Sequence, residues 1–280
     1  MIELNNLDFA YPKAQSKVLS QLNLALGEGT ICGLFGPNAS GKSTLLKVIA
    51  GLLFPQQGQS NVFDALPMER TPEFLANIYY LSEDIYVPKL SAANYISQYS
   101  PFYPKFDRTV MQTLLEDFKL TDQSLLTNLS LGQKKKFLLS FAIATNARLL
   151  LLDEPSNGLD IPSKAQFRKV LLDHFSPERT YIVSTHQAHD LEGLIDSVVF
   201  LDQSRILLQQ NMDIINTRLM CEREFSQPQN ALYSQPGLDG YAAVYENTSG
   251  VETQVNLELL FNFVTSKPEV AQTLLGGGAA

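Results

Sequence analysis

Residues 36–44 read GPNASGKST directly after the apolar run Ile31–Phe35, and this join of strand, glycine loop and helix constrains the fold more than any other feature of the chain. Gly36 and Gly41 let the backbone wrap closely around an anion, with Pro37, Asn38, Ala39 and Ser40 forming the nest of main-chain groups between them. Lys42 reaches the β- and γ-phosphates of a nucleoside triphosphate, and the hydroxyl of Ser43, ahead of Thr44, can ligate Mg²⁺. The helix that starts near Lys42 points its positive dipole end at the same phosphates. Leu45, Leu46, Ile49, Leu52 and Leu53 recur at helical spacing, and Pro55 with Gly58 should end that helix.

The rest of the chain supplies the other parts of an α/β layer. Short apolar runs at residues 31–35, 78–81, 149–152, 181–184 and 198–201 read as strands buried on both faces. Helical patterns lie between several of them, which favours a mainly parallel sheet. The N-terminus differs, because Ile2, Leu4 and Phe9 belong to one alternating stretch and Leu22, Leu24 and Leu26 to another. These are expected to form an antiparallel β subdomain, with Gly27–Gly29 as a turn. From about residue 84 to 146 the pattern turns helical, with candidates at 93–99, 110–118 and 131–144, and reads as an inserted helical subdomain. The expected division is therefore residues 1–210 as the nucleotide-binding domain and 211–280 as a small C-terminal appendage. In the latter, polar and turn-forming residues dominate until an amphipathic pattern resumes over 255–264. The closing GGGAA reads as a flexible end.

Charge narrows the partners. The formal net charge of −8 argues against a nucleic-acid surface. Charged residues make up 18% of the chain, below the usual level of about 25%, as expected where a partner covers some of the surface. Cys32 and Cys221 fit neither a disulfide framework nor a metal cluster, and Cys32 reads as a small core residue in a reducing compartment. No stretch approaches the roughly 20 apolar residues of a membrane span, and the acidic N-terminus is unlike a signal peptide, so a soluble chain is expected.

Two further motifs carry chemistry. LLLLDE (149–154) delivers Asp153 and Glu154 at the C-terminal end of a strand, where α/β sheets place their ligands. Asp153 is suited to hold Mg²⁺ and Glu154 to polarise an attacking water. LSLGQ (129–133) starts a helix at which Ser130 and Gly132 can meet an anion. By itself it is only a capped helix start followed by a solvated basic turn, Lys134–Lys136. SNGLD (156–160) and His186, at the end of a strand, complete the set.

The ordered motifs GPNASGKST, LSLGQ, LLLLDEP, SNGLD and His186 resemble those of the ATP-binding subunits of ABC transporters, over roughly residues 1–210. The resemblance implies a P-loop NTPase core that hydrolyses ATP with Mg²⁺. It makes Tyr11 the aromatic that stacks on adenine, LSLGQ the signature (Ser130, Gly132, Gln133) and SNGLD, ending in Asp160, the D-loop. His186 contacts the γ-phosphate, and the signature caps the ATP held by another subunit, a second copy or a homologue. A separate integral membrane subunit is the other implied partner. The location would be cytoplasmic, peripheral on the inner face of the cell membrane. The alternative is a soluble ATPase of this class in translation or DNA repair, against which stand the single ATPase module and the lack of sustained heptads. The insert and appendage point to an exporter type.

Two positions depart from the family pattern. Glu83 stands where the loop into the insert usually carries Gln, and is expected to act on the metal and nucleotide all the same. Leu131 replaces the first glycine of the signature, while Ser130 and Gly132 are retained. Tyr86, Tyr95, Tyr99, Phe102, Tyr103 and Phe106 cluster in the insert. They form either its own core or a groove for a helix of the membrane partner, with Tyr86 the first candidate contact.

Overall fold

The computed structural model describes residues 2–14 and 16–276. Strands β1 (Ile2–Phe9) and β2 (Leu19–Leu26) pair antiparallel, and their inward residues Leu4, Leu7, Leu22 and Leu24 are buried. β3 (Ile31–Phe35) feeds the phosphate loop and α1 (Lys42–Ile49). This helix is shorter than the leucine pattern implies. Ala50 caps it, Gly51 turns the chain at φ +66°, and Leu52 is exposed. A left-handed glycine stops a helix whatever the periodicity beyond it.

β4 (Gln57–Val62) then joins the other side of β1, making a three-stranded antiparallel sheet in the order β2-β1-β4. After α2 (Pro72–Ala76) comes β5 (Ile78–Leu81), and then the helical insert: α3 (Ala92–Tyr99), α4 (Arg108–Asp117) and α5 (Leu131–Ala144). Each insert helix carries the cap its sequence offers, with Ser91, Asp107 and Ser130 accepting from backbone amides of their first turns. From Phe137 to Ala144 α5 is buried all round. Tyr95 packs edge-on to Phe137 and Phe141, at 5.3 and 5.2 Å between ring centroids, and Tyr103 and Phe106 also meet Phe141. Half of the aromatic cluster, Tyr95, Tyr103 and Phe106, is thus the insert's own core, while Tyr86, Tyr99 and Phe102 are exposed.

β6 (Leu149–Asp153), α6 (Ile161–Asp173), β7 (Thr180–Thr185), β8 (Ser197–Asp202) and β9 (Arg205–Asn211) complete the main sheet. Its order is β5-β6-β7-β3-β8-β9, all parallel except the last strand, which returns antiparallel to β8. Helices α5 and α6 cover one face and α1 with the β2-β1-β4 sheet covers the other, so β3, β6 and β7 are buried along their whole length, as their continuous apolar runs require. Cys32 lies within this layer, and burial pushes its thiol up to about 12.

The C-terminal part is more ordered than its polar composition implies. α7 (Met212–Arg218) leads into β10 (Leu219–Glu224), β11 (Tyr233–Gly237) and β12 (Gly240–Glu246), a second antiparallel sheet in the order β10-β12-β11. α8 (Leu257–Ser266) and α9 (Pro268–Leu275) follow. Leu260, Phe263 and Val264 of α8 are buried in the same core as Val198 and Phe200 of β8, and Phe261 meets the ring of Phe200 edge-on at 5.5 Å. Residues 277–280 of the GGGAA end lie outside the described residues. Among the described residues no helix is long and apolar enough to cross a membrane.

Candidate nucleotide site

The parallel strands bring their C-terminal ends to one edge, and a cleft of about 520 Å³ opens there. Tyr11, Asn38–Thr44, Glu83, Glu154, Asn157 and His186 all line it. The phosphate loop forms its floor. A Cβ at Gly36 would stand 2.2 Å from the Leu201 carbonyl oxygen, so only glycine allows that approach to β8. Gly41 caps α1 at φ +109°, and no side chain caps the helix's free amides. An anion is the natural partner for such an end. Ala39 also sits in the left-handed region, at φ +63°.

Lys42, 6% exposed, donates to the carbonyl oxygens of Gly36 (2.8 Å) and Pro37 (3.2 Å) and stands 3.5 Å from Glu154 Oε1. A buried pair of this kind contributes little net stability once desolvation is counted. Its value lies in holding cation and carboxylate at the loop. The other Glu154 oxygen meets His186 Nδ1 at 2.9 Å. A carboxylate only accepts, so Nδ1 carries the proton, and Nε2 is left facing the Gln187 side-chain amide at 3.3 Å.

Asp153 is fixed from both sides. Ser184 Oγ donates to one oxygen at 2.7 Å and Tyr80 OH to the other at 3.0 Å. Ser184 Oγ in turn accepts from the Glu154 N–H at 3.1 Å. The pairing of β6 with β7 sets Asp153 opposite Ser184, so sheet register brings that half of the arrangement together. Burial and the neighbouring Asp153 charge push the Tyr80 hydroxyl well above its usual pKa, which keeps it a donor. Glu83 accepts from the Asn157 side-chain amide at 3.2 Å. Tyr11 stands at the cleft rim, its hydroxyl 3.1 Å from Thr44 Oγ1 and its ring edge-on to Phe9 at 5.0 Å.

The signature residues lie elsewhere. Ser130, Gly132 and Gln133 do not line the cleft. Ser130 Oγ accepts from the Gln133 N–H at 3.2 Å, and Gln133 Oε1 accepts from the Ser130 N–H at 2.9 Å, a closed capping box on an exposed helix start. Asp160 is likewise outside and caps α6, accepting from the Ser163 N–H at 2.9 Å, and hydrogen bonding to the Ser163 hydroxyl and then to its N–H lowers the carboxyl pKa.

Two readings of the insert are corrected. Lys135 is not part of a solvated turn. It is 5% exposed and donates to the carbonyl oxygens of Glu154 and Asn157. The signal was present in the sequence, since Lys135 shares its helical stripe with Leu138, Leu139 and Ala142. An apolar groove of about 750 Å³ does exist, but its walls include Leu52, Leu75, Tyr80, Tyr99, Phe102 and Tyr103. Tyr86, 84% exposed, is not among its lining residues.

An uncapped helix end behind a glycine loop, facing an acid–histidine pair at the edge of a parallel sheet, defines a P-loop nucleoside triphosphatase. Residues 19–157 match the ABC transporter family. The chain is 29% identical to the ABC transporter ATP-binding protein YtrB of Bacillus subtilis over 215 residues, 76% of this chain and 73% of that protein. It is 30% identical to a fluoroquinolones export ATP-binding protein of Mycobacterium tuberculosis over 210 residues, 74% of this chain and 69% of that one. A putative ABC transporter ATP-binding protein of Clostridium acetobutylicum shares 30% identity over 245 residues, 80% and 97% of the two chains. The fold matches the solved ATP-binding subunit of an ABC transporter, with a TM-score of 0.70 at 23% identity over 77% of this chain and 92% of that one. It also matches an ATP-binding cassette solved as a dimer with ADP and Pi, with a TM-score of 0.68 at 21% identity over 75% and 98%. The chain belongs to the ABC transporter family, as an ATP-binding, ATP-hydrolysing subunit. The soluble translation or repair reading finds no support among these relatives.

Proposed function

We propose that this chain, through residues 1–210, powers export through separate membrane-spanning subunits, closing on a second copy or a homologous subunit to hydrolyse ATP. The observation that carries this reading is the split of the motif residues. Lys42, Glu154 and His186 converge on one cleft, whereas Ser130 and Gln133 stand exposed, and Gly132 half-buried, away from it. A closed pair puts each signature against the other copy's phosphates. Adenine stacks on Tyr11, and residues 36–44 cradle the phosphates. Glu154 orients the attacking water, His186 contacts the γ-phosphate, and Asp160 positions the D-loop at the seam. Stabilisation of the transferring charge is mainly electrostatic.

Mg²⁺ fits the donor set. Ser43, Asp153 and Glu83 are all oxygen donors, and among the described residues no group of three or more His, Cys, Asp or Glu side chains is placed to hold a metal. Such a sparse set suits an ion that keeps its waters and binds through one or two carboxylates plus substrate phosphates. Bound there, it would neutralise charge on the β- and γ-phosphates.

The apolar groove beside Tyr80, Tyr99 and Phe102 receives a helix of the membrane subunit. It borders the ring whose hydroxyl holds Asp153. Export accords with the fluoroquinolones export relative. Residues 211–280 are the appendage, whose helix α8 packs on Val198 and Phe200 of β8, and the whole works at the inner face of the cell membrane.

The test is Glu154→Gln in Mg-ATP, followed by light scattering. The variant is expected to accumulate as an ATP-bound dimer. A strict monomer under saturating ATP would contradict the scheme.

A further inference from the structure

Lys135 is a buried cation that no step above uses. Among the described residues it forms no ion pair. Its Nζ instead donates to the carbonyl oxygen of Glu154 at 2.9 Å and that of Asn157 at 2.5 Å. Taking an ammonium out of water is strongly unfavourable, so the residue is a poor choice for packing alone. Burial lowers its pKa, against the opposing pull of Glu83, Glu154 and Asp153.

The turn it grips is itself unusual. Glu154 has φ +46°, a left-handed conformation that is strained for a residue with a Cβ and persists only where the surroundings enforce it. Its N–H is held by Ser184 of β7, through both Oγ (3.1 Å) and the carbonyl oxygen (3.2 Å). Its carbonyl is held by Lys135 of α5. With both ends of the residue tied, its carboxylate is aimed at Lys42 and His186. Lys135 also lies less than two turns from Ser130, the cap of the same helix, and α5 is packed on all sides from Phe137 onward.

We propose that Lys135 is a positioning residue that clamps the Glu154–Asn157 turn to α5, so that docking of the signature at the helix start is felt at the catalytic carboxylate of the same chain. The proposal rests on the reading of Glu154 as the residue that orients water. It makes the exposed signature an input to its own subunit's chemistry as well as a cap on the partner's nucleotide. The clamp is two hydrogen bonds from one ammonium, and a side chain of similar length without donors removes both.

The experiment compares Lys135→Met, Lys135→Gln and Glu154→Gln with the unmodified full chain. Steady-state Mg-ATPase gives kcat and KM, binding of a ribose-labelled fluorescent ATP gives affinity, and thermal melting checks the fold. Misplacing a reacting group by about 1 Å costs on the order of 100-fold, so Lys135→Met should lose about that much kcat with nucleotide affinity unchanged. Lys135→Gln, which keeps an N–H donor, should recover part of the loss. Unchanged kcat in Lys135→Met beside an inactive Glu154→Gln would overturn the clamp and leave the role of Glu154 standing. Full activity in Glu154→Gln would overturn that role instead. Parallel loss of affinity, kcat and melting temperature in both lysine variants would reduce Lys135 to a structural part and overturn the proposal.

Discussion

Helices α1 and α5 both begin with residues suited to an anion, yet their first turns are built in opposite ways. At α1 the cap is Gly41, no side chain covers the amides, and the end faces a cleft with Lys42, Glu154 and His186 around it. At α5 Ser130 and Gln133 satisfy each other in a capping box, and the end faces outward with Leu131 55% exposed. One end is incomplete without a ligand, while the other is chemically content alone. The difference teaches that the two halves of the proposed site have different duties. The first must hold ATP in a single chain; the second acts only when a surface is brought to it.

Three substitutions test that division. Lys42→Ala should have the largest effect, because it removes the one buried cation at the phosphate loop. By analogy with removal of a transition-state donor, hydrolysis should fall at least about 10²–10³-fold, with labelled-ATP binding to the monomer weakened as well. Retained monomer affinity would put the holding function elsewhere. Ala39→Gly comes next. Relief of the left-handed conformation, offset by added freedom in the unfolded chain, should raise stability by about 0.5–1 kcal/mol in a melting experiment. A loss of stability would mean that the methyl group packs usefully against the loop. Glu83→Gln should have the smallest effect, since the amide keeps an oxygen to accept from Asn157 and to meet Mg²⁺. ATPase activity near background would show that the carboxylate charge itself is needed on the cleft side.

Legibility from sequence followed burial. β3 and β5 are recognisable to the residue because a strand covered on both faces must be continuously apolar. β4 was missed because its outward residues Gln57, Gly58 and Gln59 are those of a turn, and only Ser60 and Val62 are buried. The same holds for β10–β12, which form a small sheet whose exposed residues outnumber its buried ones and so read as loop. The cleft residues Lys42, Glu154 and His186 were legible because fixed spacing along strand ends determines where they arrive. Lys135 was not, because a run of three lysines looks like solvent-facing charge until the helical stripe is followed inward. Ser184 and Tyr80 escaped as well. Their role depends on which residue stands opposite Asp153 across the sheet and on the face that Tyr80 presents, and neither is marked by any local motif.

The central claim is that one chain holds the ATP and the other chain's signature closes on it. The most direct measurement adds Ser130→Glu to the Glu154→Gln background and follows both mass by light scattering and labelled-ATP affinity at concentrations where the chain is monomeric. A carboxylate at the signature should repel the partner's γ-phosphate, so the double variant is predicted to bind ATP as well as Glu154→Gln does and yet remain a monomer. Dimerisation undiminished by Ser130→Glu, or loss of ATP binding in the monomer, would contradict the account.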